Sequence, residues 1–389
     1  MITRDDIREL ANFHSPEGCA VTFYYQPTAP TNRSHRDETI LVKDLVQNAL
    51  RLAEKNLLKP KAAHGDLQRI LEMTDTLRSN GRKGKAVFAC VGQGYWREFD
   101  LPAKLPQSRL ILNQRFHLKP LAAIFDSIQR ACVVLVDRTK ARVFELADSK
   151  ISEKLDFINE LTRRGRTDGW SGYDAGHNQR RVMNEAMQHF KVVSDAVTGY
   201  VEREGCEKLL IGCHDDVWSE FFPHLHTYAK QRLVGRFRID PKAATPEQVK
   251  QLALEHLQRH DEERKQLLIT EVIGEAHRNG RGAIGLRRVL RSLEAGEVQT
   301  LMIASSFCAP GVKCYHCGHM DLHIAPNCVM CGKPNTELED LGDAIVGYAI
   351  RNGLEIVYIG DDEQFDRIGR IAAQLRFRAD QSTPAKVAV

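Results

Sequence analysis

Long apolar runs are missing from this 389-residue chain, in which no stretch comes near the ~20 consecutive apolar residues that a membrane-crossing helix needs. The first residues, MITRDDIRELANF, put acidic side chains where a secretory leader carries its apolar segment. Neither a membrane span nor export is expected, and the expected location is the cytoplasm. Excess charge is scarce too: 55 Lys and Arg face 51 Asp and Glu, a net +4, so the overall balance neither demands nor forbids nucleic acid and local patches must decide. No internal repeat is evident. With 42% hydrophobic and 27% charged residues the chain has the composition of a globular protein, and disorder is expected only at its two ends.

At roughly 100–200 residues per domain, this length predicts three domains. Residues 1–128 read as mixed α/β, with strands at 19–25 and 85–91 and helical periodicity over 37–58 and 66–78. Residues 129–244 open with the runs 131–137 and 141–146 around Arg138-Thr139-Lys140, a hairpin pattern. A polar, glycine-rich stretch over 162–178 follows. Beyond it Val182, Ala186, Phe190, Val193, Val197 and Tyr200 recur at three- and four-residue steps, so one face of a long helix should be buried. Thr245-Pro246-Glu247 is a good helix start, and the charged helix it begins, over 245–279, should bridge domains. Residues 245–380 alternate again: helix 285–294, strand 300–305, a cysteine segment, helix 341–352, strand 355–360 and helix 363–375. The fold class expected is α/β throughout, with a tail at 381–389.

Of ten cysteines, Cys19, Cys90, Cys132, Cys206, Cys213 and Cys308 mostly sit in or beside strand-like runs and read as buried reduced thiols. The other four are spaced for a metal. Cys314-x-x-Cys317, ten residues, then Cys328-x-x-Cys331 lets four thiolates converge on one tetrahedral Zn2+. Gly318 and Gly332 permit the tight turns whose amides bond to sulfur. Because four thiolates fill the tetrahedron, the ion is expected to be structural, bracing a zinc ribbon over 311–334 inserted in the C-terminal α/β domain. His316, His319 and His323 read as surface residues.

The third domain resembles the C-terminal domain of the archaeal and eukaryotic class-one peptide release factors, together with the Pelota-like and bacterial release-factor-like proteins. Gly285-Leu286, Val289, Leu293, Gly296, Val298 and Thr300-Leu301 fit the family's helix-then-strand pattern before its ribbon. Ile368-Gly369-Arg370-Ile371 through Arg376-Phe377 looks like its terminal helix, with one glycine of the usual pair replaced. The strand pair at 131–146, the basic loop and the helix beginning near Gln179 look like the family's middle domain. Residues 1–125 match less clearly, and nothing in them reads as a stop-codon reader. The resemblance implies a three-domain, ribosome-associated translation factor whose middle-domain loop reaches toward the acceptor end of tRNA.

In release factors that loop carries Gly-Gly-Gln, and here it is absent. Gly169-Trp170-Ser171 and Gln179-Arg180-Arg181 match the two ends of the loop of the related bacterial proteins, but Gly172 stands where a glutamine is expected. Residues 163–181 hold five arginines against two aspartates, with a tryptophan, a tyrosine and four glycines, a mixture suited to gripping phosphates and stacking on unpaired bases. Arg163, Arg164, Arg166, Trp170, Arg180 and Arg181 are therefore the RNA-binding candidates, the bland alternative being a solvated loop anchored by Trp170. For catalysis the candidates are Gln179, His177 and Ser171, a side chain to hold water and a histidine able to take a proton. His214, His224 and His226 with Asp215 and Asp216 read as exposed or core residues rather than a second metal site. Three functions stay open: release of peptide from peptidyl-tRNA or rescue of stalled ribosomes, non-hydrolysing Pelota-like ribosome rescue or RNA binding, and tRNA cleavage. The partners implied are the ribosome, tRNA and a translational GTPase or ATPase, with no membrane.

Overall fold

Strands buried on both faces organise each part of this mixed α/β chain. The computed structural model describes residues 2–17, 19–26, 35–55, 63–73, 84–101, 105, 107–127, 130–147, 150–158 and 174–378. It divides into one unit of Met1–Ser127 with Leu267–Val389 and another of Ile128–Gln266.

The first unit begins with α1 (Arg4–Asn12), whose start is fixed by a reciprocal cap: Thr3 N donates to Asp6 at 2.8 Å and Asp6 N donates to Thr3 Oγ1 at 3.1 Å. Then come β1 (Ala20–Tyr25), α2 (His35–Lys55), α3 (His64–Glu72), β2 (Gly84–Cys90), β3 (Tyr95–Leu101), β4 (Arg109–Asn113) and α4 (Lys119–Ser127). The strands form an antiparallel sheet in the order β3-β2-β1-β4. Val21, Phe23 and Tyr25 join a core with Val42, Leu67 and Ile70, while Ala20 and Tyr24 join another with Ile7, Leu10 and Leu121. The two-residue alternation of a strand thus feeds two cores at once.

The second unit holds β5 (Arg130–Val136), β6 (Lys140–Ala147), β7 (Lys150–Ile158), α5 (Asp174–Glu204), β8 (Leu209–Gly212), α6 (Asp215–Phe221), α7 (Thr227–Gln231), β9 (Leu233–Phe237) and the start of α8 (Pro246–His277). The hairpin expected at 138–140 is present, closed by Asp137 N donating to Lys140 O at 2.7 Å, and β7 continues it as a third antiparallel strand that the sequence did not announce. Sheet order is β7-β6-β5-β8-β9, with β8 parallel to both neighbours. Cys132, Val134 and Val136 pack with Ala186, Phe190, Val193, Val197 and Tyr200 of α5, the face read from periodicity; the side chain of Val182 lies outside the described residues. Ala131, Val133 and Leu135 pack on the other side with Val249, Ala253 and Leu257 of α8.

Gly212 ends β8 where there is room only for hydrogen. A Cβ there would lie 2.5 Å from Leu135 Cδ2, 2.7 Å from Phe237 and 2.8 Å from Ile239. Gly212→Ala should destabilise this unit by roughly 1–3 kcal/mol through overpacking, read as a lower urea midpoint with unchanged slope.

Thr245 and Gln248 cap α8 reciprocally, at 3.0 and 3.3 Å. Farther along the same helix Ile269 and Val272 belong to the core of the first unit. That unit continues with β10 (Gly282–Ile284), α9 (Leu286–Glu294), β11 (Val298–Ala304), β12 (Gly311–Lys313), β13 (Met320–Asp321), β14 (Thr336–Leu338), α10 (Leu341–Arg351), β15 (Glu355–Ile359), α11 (Glu363–Arg367) and β16 (Ile371–Leu375). The sheets are β10-β16-β11-β15 and the small β13-β12-β14.

The helix expected over 363–375 is corrected here. It stops at Arg367, Gly369 and Arg370 take positive φ of 93° and 61°, and Ile371–Leu375 is a strand hydrogen-bonded to both β10 and β11. Ala372 and Ala373 favour helices intrinsically, but both faces of this central strand are covered, and small apolar residues satisfy that place regardless of propensity. The cysteine expectation needs one correction as well. Cys19, Cys90, Cys132 and Cys213 are buried and Cys206 half-buried, but Cys308 is exposed.

Within the first unit, residues far apart in sequence are clasped together. Asp343 Oδ1, in the first turn of α10, accepts from Leu118 N at 2.8 Å and Lys119 N at 3.1 Å, and lies 3.0 Å from His117 Nδ1. Lys119 Nζ reaches Asp340 at 2.8 Å and also donates to Phe307 O, while Tyr358 OH donates to Lys119 O at 3.1 Å. No helix among the described residues is long and apolar enough to cross a membrane.

Candidate functional site

Two short turns of the same design bring four thiols together. Cys314 N donates to His319 O at 2.9 Å and Gly318 N to Cys314 O at 2.8 Å; in the second turn Cys328 N donates to Lys333 O and Gly332 N to Cys328 O, both at 2.8 Å. Gly318 and Gly332 sit at φ of 84° and 70°, a conformation that a side chain resists, which is why glycine follows the second cysteine each time. The result places Cys314, Cys317, Cys328 and Cys331 Sγ atoms all within 4.8 Å of one another, with the 314–331 and 317–328 pairs each at 3.5 Å.

A tetrahedron with Zn–S bonds of about 2.3 Å has its sulfurs about 3.8 Å apart, so the observed spacing fits one ion with little adjustment. Burial works to raise the Cys314 thiol, but the amides of Cys317 and His316 and the neighbouring sulfurs bring it down to about 7, and Cys328 is lowered by similar means against its own burial. The amides of His319 and Lys333 pull Cys317 and Cys331 down, yet burial and adjoining thiols leave both raised. Protons shared among crowded sulfurs are what a dication would displace, binding all four as thiolates. The four thiols can therefore hold one metal ion, and His319 is not needed as a ligand: its Nδ1 lies 2.5 Å from Glu294 Oε1. That ring is half-buried, a departure from the surface position expected, while His316 and His323 are exposed.

Among the described residues, His214, His224, His226, Asp215 and Asp216 form no metal-ligand group. Asp215 pairs with Arg236 at 2.6 Å, Asp216 with Arg138 at 3.3 Å, and His224 packs on Phe190. His226 Nδ1 accepts from Tyr228 N at the start of α7.

Arg163, Arg164, Arg166, Trp170 and Ser171 lie outside the described residues. His177, Gln179, Arg180 and Arg181 fall in the first turns of α5, which starts at Asp174, so the polar stretch expected over 162–178 already contains helix in its last residues. Sequence reasoning missed the clasp of His117, Lys119, Asp340 and Asp343. Its one local signal was Asp340 before an apolar helix, an N-cap whose side chain accepts from Gly342 N at 2.8 Å.

Comparison with known proteins bears on this architecture. Residues 117–277 match the model of bacterial archaeo-eukaryotic release factor family 10. A peptide chain release factor subunit 1 from Archaeoglobus fulgidus is 24% identical over 301 residues, covering 72% of this chain and 73% of that protein. Its counterpart from Pyrococcus abyssi is 22% identical over 292 residues, covering 68% and 70%. Among solved structures, the archaeal Pelota in a model of ribosome-bound Pelota and ABCE1 aligns over 97% of this chain and 94% of that one, at 14% identity and a TM-score of 0.41. The chain is thus similar to release-factor-like proteins, through the family match over residues 117–277 and over about 70% of its length in the archaeal relatives. The match to bacterial family 10 spans the second unit and its flanks.

Proposed function

We propose that this protein is a ribosome-associated, release-factor-like factor acting in peptidyl-tRNA release or rescue of stalled ribosomes. The observation that carries the reading is the release-factor relationship, which runs through the family match over 117–277 and extends over 72% of the chain in a curated relative. In this reading the chain works as three domains, 1–128, 129–244 and 245–380, in the cytoplasm, with a translational GTPase or ATPase as its partner. Arg163, Arg164, Arg166, Trp170, Arg180 and Arg181 grip RNA phosphates and stack on bases near the tRNA acceptor end. Gln179, with His177 and Ser171, holds the water that attacks the peptidyl ester. Cys314, Cys317, Cys328 and Cys331 hold a structural Zn2+; four thiolates leave no position for water, so the ion folds the ribbon and performs no step.

Sedimentation of the purified chain with ribosomes at increasing salt tests the binding claim. Replacing Arg163, Arg164 and Arg166 together with Gln should lower the slope of log affinity against log salt by about 2, at roughly 0.7 per lost phosphate contact. An unchanged slope, or no association at all, overturns it. Peptide release from stalled complexes that disappears with Gln179→Ala supports hydrolysis. The absence of Gly-Gly-Gln, with Gly172 in the place of a glutamine, favours a second reading in which the protein binds ribosomes without cutting peptide or tRNA. Association with both substrates intact is its signature, whereas cleaved tRNA would point to a nuclease.

A further inference from the structure

Three cations, Lys313, Arg115 and Arg351, lie near enough in the first unit to repel one another, with Asp343 as the acidic group among them. Lys313, in β12, is 6% exposed, and its ammonium has no hydrogen-bond acceptor among the described residues; its nearest aromatic neighbour is the Tyr315 ring, 5.4 Å away. Arg115, just after β4, donates from Nη1 to Ala11 O at 3.3 Å and Phe13 O at 3.2 Å. Arg351, the last residue of α10, donates from Nη1 to the same Ala11 O at 3.4 Å. Two guanidinium groups thus share one neutral carbonyl. Their remaining N–H donors make no hydrogen bond among the described residues. The acidic group nearby, Asp343, is already engaged by His117 and by the amides of Leu118 and Lys119.

A largely buried lysine whose ammonium has no protein acceptor among the described residues, within repelling reach of two guanidinium groups that cannot lose their protons, is a costly arrangement in a folded protein. It is also what an oxyanion site needs: a point charge and two planar forks with free donors. Arg115 and Arg351 are only partly buried, so the group opens to solvent on their side. We propose that Lys313, Arg115 and Arg351 form a binding site for a phosphate-class oxyanion, either inorganic phosphate or the terminal phosphate of a nucleotide. This site is independent of the loop at 163–181 and does not rest on the function proposed above.

Calorimetric titration of the full chain with inorganic phosphate, at constant ionic strength set with chloride, should give saturable binding. Lys313→Met and Arg351→Gln should each weaken it by at least about tenfold, the loss of one charge-assisted contact. Adenosine triphosphate binding more tightly than phosphate assigns the site to a nucleotide; equal or weaker binding assigns it to the free anion. Metal content is measured on each variant, and if Lys313→Met loses its metal, Arg115→Gln replaces it, since that residue lies outside the cysteine segment. Lys313→Met should also melt no lower than the parent without phosphate and lose the stabilisation phosphate gives the parent. Absence of saturable heat, or variants of full metal content that bind phosphate as the parent does, overturns the proposal.

Discussion

With the proposed Zn2+ on its four thiols, the protein should lose that ion on Cys328→Ser, and the turns at 314–319 and 328–333 should unfold. Structural zinc in small cysteine sites contributes on the order of 10–16 kcal/mol of apparent binding free energy; Met320, Leu322 and Leu338 anchor the base of the segment in the core, so the loss should fall on the two cysteine turns. Its strands are two or three residues long, and Ile324, Val329 and Met330 are exposed rather than packed. Without the ion the four crowded sulfurs must share protons, and the turns at Gly318 and Gly332 lose the centre that orients them. Metal analysis should read about one zinc per chain in the parent and none in the variant, with new protease cleavage confined to 314–335. Cys308→Ser is the control, because that thiol is exposed and its contact is with Glu339 O at 3.6 Å. Equal zinc content in parent and Cys328→Ser would remove the metal from the account.

The second large effect is expected at Asp343. Replacing it with Ala leaves the amides of Leu118 and Lys119 and the ring of His117 without their shared acceptor, and breaking a buried ionic group of this kind costs about 3–5 kcal/mol. Burial works to raise this carboxyl, but His117 and the two amides prevail and hold it below the usual carboxylate range. A group lowered in the folded state stabilises above its unfolded value, near 4, and that contribution fades as pH falls through the lower folded value. The parent should therefore lose stability in acid below about pH 4, and Asp343→Asn should show a flatter profile there. Urea unfolding followed at several pH values reads both effects. Profiles of the same slope for parent and Asp343→Asn would show that the carboxylate's charge is not what stabilises the clasp.

How much of this was legible in the sequence depended on how local the cause was. The buried face of α5 follows from spacing alone, as does the hairpin at 138–140, because neighbours in the chain create both. The cysteine pattern was readable for the same reason, each turn being closed by hydrogen bonds spanning four or five residues. By contrast, Asp343 meets Leu118 across 225 residues, and no window of sequence signals that the two are partners. Ile371–Leu375 was misread because alanines suit a helix locally, and only the strands on either side, β10 and β11, decide otherwise. Arg115, Lys313 and Arg351 are unremarkable singly; the topology that gathers them was out of reach. As for the candidate loop, its sequence gave residue types, and its arginines at 163, 164 and 166 lie outside the described residues.

The position of β16 between β10 and β11 also sets an order of assembly. Residues 128–266 form a continuous unit that can close on itself while the rest of the chain is still being synthesised. The other unit is split across the sequence, and its last sheet lacks an interior strand until 371–375 have emerged. Val298–Ala304 then waits with one edge unpaired, and the stretch 1–127 waits for its clasp. A nascent chain arrested before residue 371 should therefore carry a finished middle and two unfinished ends, the state in which a strand edge is most open to pairing with the wrong partner.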